Sequence, residues 1–253
     1  MSTNKIALVT GGSRGLGKDM ALRIADKGID VILTYHSNKE QAAEVVKEIQ
    51  SKGQKAIAFQ LDTGKTDTFD AFFTKVSSHL EENTGKPNFD FLVNNAGIGI
   101  NVPFAETTEA QFDELVNIQF KGVFFLAQKA LKYLNNGGSI INISSGLARF
   151  TGPGYSVYSS TKAAIENLTR YQAKELGERR IRVNVVAPGA IATDFAGGKV
   201  RDNEEYNNYV SSATALGRPG EAEDIGGVVA FLCTKDASWI NGQRIEVSGG
   251  MNI

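Results

Sequence analysis

A single cysteine, Cys233, in 253 residues excludes an intrachain disulfide, and its place in the apolar stretch 228–233 reads as a core thiol of a reducing compartment. Only two histidines, His36 and His79, are present; in separate segments and beside one cysteine they cannot build a Cys/His centre, so no metal is expected. Neither sign of charge is in excess. With 27 Lys and Arg against 28 Asp and Glu, the chain lacks the basic field of a nucleic-acid or membrane-surface binder. No apolar run is long enough to cross a bilayer, and the start at Met1–Lys5 leads into no secretory hydrophobic region. The expectation is a soluble, cytoplasmic protein acting on a small molecule. No linker or charge block divides the sequence, so residues 1–253 read as one domain.

What is present is an alternation. Short β-branched runs at 6–9, 31–33, 56–59, 89–93, 139–143, 181–186 and 244–247 are separated by segments of helical period, among them 16–27, 39–52, 112–134 and 160–178. Strand then helix, repeated, predicts a parallel sheet covered on both faces. A long irregular stretch at about 190–219 carries Tyr206 and Tyr209 among polar residues. Structureless loops of that length are uncommon in compact domains unless functional, so it reads as a substrate lid holding a small helix pair.

After the first strand comes TGGSRGLG, residues 10–17. Gly11, Gly15 and Gly17 stand where backbone must approach a pyrophosphate at a helix N-terminus, with Ser13, Arg14 and Leu16 between them. At the end of the second strand a site for NAD(H) carries an acid for the ribose hydroxyls. Here the turn reads Tyr35, His36, Ser37, Asn38, Lys39, with no carboxylate. Such a turn suits a 2′-phosphate, with Arg14 as a further cationic donor, so NADP(H) is expected over NAD(H). Asp62 and Thr63 after the third strand, and Asn94, Asn95, Ala96 and Gly97 in NNAG after the fourth, lie at strand ends where such sheets gather ligands.

Tyr158 and Lys162 are four apart in YSSTK and share a helix face. Tyr-x-x-x-Lys alone is commonplace, but the cation is expected to lower the phenol's pKa toward the range useful for acid/base work. Ser145, at the end of the run 141–145, precedes Tyr158 by thirteen residues and can face the phenol across a carbonyl. Ser144 is its rival, since neighbouring strand residues point to opposite faces; spacing favours Ser145.

TGGSRGLG, NNAG, the Ser145 to Tyr158 spacing and YSSTK together resemble the short-chain dehydrogenase/reductase superfamily over essentially the whole chain. The resemblance implies a doubly wound α/β Rossmann fold with a seven-stranded parallel sheet in the order 3-2-1-4-5-6-7. It also implies a catalytic tetrad at Asn117, Ser145, Tyr158 and Lys162: Tyr158 protonates the carbonyl oxygen, Ser145 hydrogen-bonds it, Lys162 also holds the nicotinamide ribose, and Asn117 bends its helix around a water. Pro188, Gly189, Ile191 and Thr193 resemble the segment along the nicotinamide. The length and the late segment 221–225 look most like the β-ketoacyl-carrier-protein reductases, so a 3-oxoacyl thioester is one candidate substrate. An acidic acyl carrier protein would then meet Lys121, Lys129, Lys132 or Arg170. The resemblance further implies a homotetramer built on the long helices at 112–134 and 160–178. The alternative function is a catalytically inactive NADP(H)-sensing protein; retention of the four tetrad residues argues against it.

Overall fold

The computed structural model describes residues 4–253. Its centre is a seven-stranded sheet in the order β3-β2-β1-β4-β5-β6-β7, every pair parallel. The strands are β1 (Ile6–Val9), β2 (Asp30–Tyr35), β3 (Ala56–Gln60), β4 (Phe89–Asn94), β5 (Leu134–Ile143), β6 (Arg182–Pro188) and β7 (Arg244–Val247). β1 is buried throughout, as a strand with helices on both faces must be.

One apolar layer joins α1 (Gly15–Asp26), α2 (Lys39–Ser51) and α9 (Ala222–Leu232) to the sheet and contains Cys233. The other holds α3 (Phe69–Thr84) and α5 (Gly122–Ala130) against the opposite face. The α3 helix follows the rule of amphipathic spacing, burying Phe69, Phe72, Phe73, Val76 and Leu80. α6 (Ser156–Glu175) runs along β5 and β6.

The helix expected over 112–134 is broken. It comprises α4 (Glu109–Val116), a π-helical turn at Asn117–Lys121, and α5, and Leu134 already belongs to β5, paired with Phe89. A Cβ on Gly122 would collide with the Thr63 carbonyl oxygen, so the helix passes flush against the loop after β3 as it leaves the π turn. Such widened turns cluster at functional sites. The segment after β6 contains α7 (Lys199–Asp202) and α8 (Glu204–Ser212), the short helix pair expected there.

Candidate active site

The strand order reverses between β1 and β4, and at the carboxyl ends of the strands beside this point lies a cavity of 1090 Å³. Open α/β sheets bind ligands at that crevice. Apart from Asn94 and Lys39, every cofactor or catalytic residue named from the sequence lines it.

At one end the glycine turn is fixed from three sides. Gly12 N donates to Thr34 O at 2.9 Å, Gly11 N to Thr34 Oγ1 at 3.1 Å, and Asn95 Nδ2 to Thr10 O at 2.9 Å. Gly11 adopts φ +65°, and a Cβ on Gly17 would strike the Gly11 carbonyl oxygen, so helix and turn touch backbone to backbone. α1 then begins with no side-chain cap and no acid in its first turn, leaving its N–H groups and positive dipole end to an anion. The turn thus fits a dinucleotide pyrophosphate.

His36, Ser37 and Asn38 line the cavity beyond β2. Asn38 Oδ1 is already engaged, capping α2 by accepting from Gln41 N at 2.9 Å. Asp62 stands across from His36, with its Oδ2 3.7 Å from His36 Nε2 and 3.6 Å from Lys65 Nζ. Arg14 forms an ion pair with Asp194, which ties the glycine turn to the segment after β6.

Asn94 is a correction. As the last residue of β4 it is buried in the sheet and donates through Nδ2 to Asn142 Oδ1 at 2.8 Å, away from the cavity. Its neighbour Asn95 occupies the cavity wall instead, because consecutive residues at a strand end face opposite ways.

At the other end, Tyr158 and Lys162 are 7% and 5% exposed. Lys162 Nζ lies 5.6 Å from the centre of the Tyr158 ring and donates to Ile143 O at 2.9 Å. Ser145 stands beside the Tyr158 phenol, and its Oγ accepts from Leu147 N at 3.2 Å. Ser144 points elsewhere, donating to Glu166 Oε1 at 2.7 Å. The expected lowering of the tyrosine pKa is not found: burial pushes Tyr158 up to about 12, with neighbouring Ser145 acting the other way. Burial also lowers Lys162, to about 8. Desolvation disfavours the charged form of both groups, and it is the largest influence on each. At neutral pH Tyr158 is therefore protonated, the state from which it can donate.

Asn117 opens the π turn, half-buried at the cavity wall. Two residues on, Gln119 is 1% exposed, donates through Nε2 to Ile98 O, and keeps Oε1 buried with no partner among the described residues. Gly97 makes room for it, since a Cβ there would sit 2.7 Å from Gln119 Oε1. Gln119 was missed from the sequence, although it stands two residues from Asn117. Glu166 was missed as well: one helical turn beyond Lys162, it accepts from Ser144 and from Arg244 Nε, each at 2.7 Å, bracing the floor of the site against β7.

Pro188, Gly189, Ile191 and Thr193 form the wall after β6. Gly189 packs on β7's exit, where its added Cβ would lie 2.9 Å from Ser248 Cα, and Thr193 Oγ1 accepts from Phe195 N at 3.3 Å.

A glycine turn at the switch point and a Ser, Tyr and Lys cluster on the cavity floor define a dinucleotide-dependent oxidoreductase site, and the chain belongs to the short-chain dehydrogenase/reductase family. The family model described as enoyl-(acyl carrier protein) reductase matches residues 11–252. Among individual relatives, a hydroxynaphthalene reductase-like protein of Metarhizium robertsii is 37% identical over 98% of this chain and 95% of its own. The 3-oxoacyl-[acyl-carrier-protein] reductase FabG of Staphylococcus aureus is 38% identical over 99% of each. Among solved structures, the reductase LugOII, which catalyses a keto-reduction in lugdunomycin biosynthesis, superposes with TM-score 0.92 at 39% identity, covering 98% of this chain and 97% of that one. The landomycin C-6 ketoreductase LanV with bound NADP and rabelomycin gives 0.90 at 36% identity over 99% and 97%.

Proposed function

We propose that this protein is an NADP(H)-dependent carbonyl reductase in which Tyr158 is the proton donor. The observation that carries the proposal is the buried cluster of Ser145, Tyr158 and Lys162 on the floor of a cavity whose other end is the glycine turn. The acid-free turn at 35–39, the uncapped start of α1 and the NADP bound by LanV support NADP(H) as the cofactor. When bound, it supplies the hydride.

The chain's own residues do the rest. Ser145 orients the phenol and hydrogen-bonds the carbonyl oxygen as negative charge develops on it, a stabilisation strengthened in a dry site. Tyr158 delivers the proton to that oxygen. Lys162, anchored on Ile143 O, returns a proton toward Tyr158 and holds the ribose. We assign the tie between the helix break and the loop after β4 to Gln119, because it is the fully buried polar side chain of the π turn and bonds Ile98 O; Asn117 keeps the position at the wall.

Residues 190–219 act as the lid of a single domain, with Asp194 latched on Arg14. The enzyme is a cytoplasmic homotetramer in this proposal; exposed Phe112, Phe124 and Phe125 on α4 and α5 support pairing of those helices, and no helix among the described residues is long and apolar enough to cross a membrane. An acyl carrier protein is poorly supported as a partner, since Lys129 is paired with Asp70 at 2.8 Å and Lys121, Lys132 and Arg170 stand outside the cavity lining. The test is NADPH oxidation, followed by absorbance, with purified protein and a panel of ketones. Ketone-dependent oxidation supports the proposal; NADPH binding without turnover on any ketone favours the sensing alternative.

A further inference from the structure

The walls around Tyr158 restrict which ketone can enter. Phe150, Tyr155, Phe195, Tyr206 and Tyr209 all face the same cavity. Tyr155 meets the Tyr158 ring edge-on at 6.1 Å between centres, and Phe195, from the lid, approaches it at 6.0 Å with a 54° tilt. The Phe195 and Phe150 rings are each seated on a glycine. A Cβ on Gly99 would lie 2.7 Å from Phe195 Cε1, and one on Gly146 would lie 2.7 Å from Phe150 Cε1, so each ring reaches its place only because the backbone beneath carries no side chain. Farther out, Tyr206 and Tyr209 lean together at 6.0 Å and Lys199 Nζ stands 4.4 Å over the Tyr206 ring.

Phe195 and Tyr209 are 41% and 60% exposed. Large rings exposed inside a concave site gain most when a flat apolar surface covers them, through area burial and through offset or edge-on ring packing. The charges in this half of the cavity are few: Asp194 is committed to Arg14, Lys162 to the floor, and Lys199 to the face of Tyr206. Tyr155 and Tyr206 keep their protons, since burial raises both pKa values, and so offer neutral hydroxyl donors to an oxygen substituent. A flexible acyl thioester fills such a slot poorly, because it orders many rotors and presents no face to the rings.

We infer, resting on Tyr158 as the proton donor, that the substrate is a planar fused-ring aromatic ketone bearing oxygen substituents, held between Tyr155 and Phe195 with its far edge toward Tyr206, Tyr209 and Lys199. In the step itself the carbonyl π bond opens: its carbon gains the hydride and its oxygen gains the Tyr158 proton. The ketone is reduced to a secondary alcohol, NADPH is oxidised to NADP+, and one proton from solvent restores Tyr158 by way of Lys162.

The test compares 2-tetralone and a hydroxylated 1-tetralone with acetoacetyl-CoA and ethyl acetoacetate, all with NADPH and the full chain. The fused-ring ketones should show kcat/KM at least about tenfold above both acyclic substrates. Phe195→Ala and Tyr209→Ala should each cost the fused-ring ketones about tenfold more in kcat/KM than they cost ethyl acetoacetate, the size of one lost ring contact. Tyr209 is the more exposed of the two, so that variant reads the effect even if Phe195→Ala folds poorly. Equal or greater kcat/KM for acetoacetyl-CoA, or equal losses on both substrate types, overturns the inference. Tyr158→Phe on the best substrate scores the proton donor separately. If no ketone is reduced, calorimetry with 2-naphthol on the NADP+-loaded protein still decides the ring preference: binding tighter than that of acetoacetyl-CoA supports it, and its absence overturns it.

Discussion

Replacing Lys162 by Met should remove a gain in stability that the protein makes as pH rises into the alkaline range, and the size of that gain follows from burial. Lys162 is 5% exposed and burial lowers it from 10.5 to about 8. That gap corresponds to about 3 kcal/mol against the charged form in the folded chain. The unfolded chain holds this proton more tightly than the folded one. The penalty is therefore fully present below about pH 8 and is relieved as pH rises toward 10.5. Cys233, whose pKa burial raises, also titrates at high pH but is remote from Lys162 and cancels in the difference, while Tyr158, raised to about 12, titrates above the window. Urea unfolding followed by circular dichroism at a series of pH values measures that difference. Stability of the parent minus that of Lys162→Met should rise by about 2 kcal/mol between about pH 8 and about pH 9.5. At pH 7 the variant loses the donor to Ile143 O as well as the charge, so the slope is the quantity to read. A flat difference across the window refutes the burial argument for Lys162.

Gly17→Ala should raise the dissociation constant for NADPH by tenfold or more while leaving the sheet intact, since its Cβ would strike the Gly11 carbonyl oxygen; fluorescence titration measures it. Arg14→Ala should reduce the ratio of kcat/KM for NADPH over NADH by about tenfold, the loss of one charge-assisted contact to a 2′-phosphate; an unchanged ratio removes Arg14 from that role. Ser145→Ala should lower kcat by about a hundredfold or more. Ser144→Ala, which breaks the bond to Glu166, should instead lower stability by about 1 kcal/mol.

The sheet was legible because strands buried on both faces read as unbroken β-branched runs, and the glycine turn because only glycines let α1 touch the Gly11 backbone. The break in the helix at 117–121 was foreshadowed only by the resemblance, as a bend at Asn117, and not by the local pattern. Its apolar pattern runs on through Phe120 and Val123, and the cause is tertiary, the Thr63 carbonyl pressed against Gly122. The tyrosine pKa was misjudged for a similar reason. Spacing puts Lys162 on the same helix face as Tyr158, but only the fold reveals that both are sealed from water, where desolvation dominates both groups. Asn94 and Asn95 look equivalent in sequence; the exit direction of β4 decides which faces the cavity. The aromatic wall is drawn from segments as far apart as Phe150 and Tyr209, and no local spacing announces it.

The account rests on Tyr158 as the acid. Purified Tyr158→Phe should bind NADPH as the parent does and lose turnover by about a thousandfold, the scale of a missing general acid. Ketone reduction by that variant at a rate near the parent's contradicts the account.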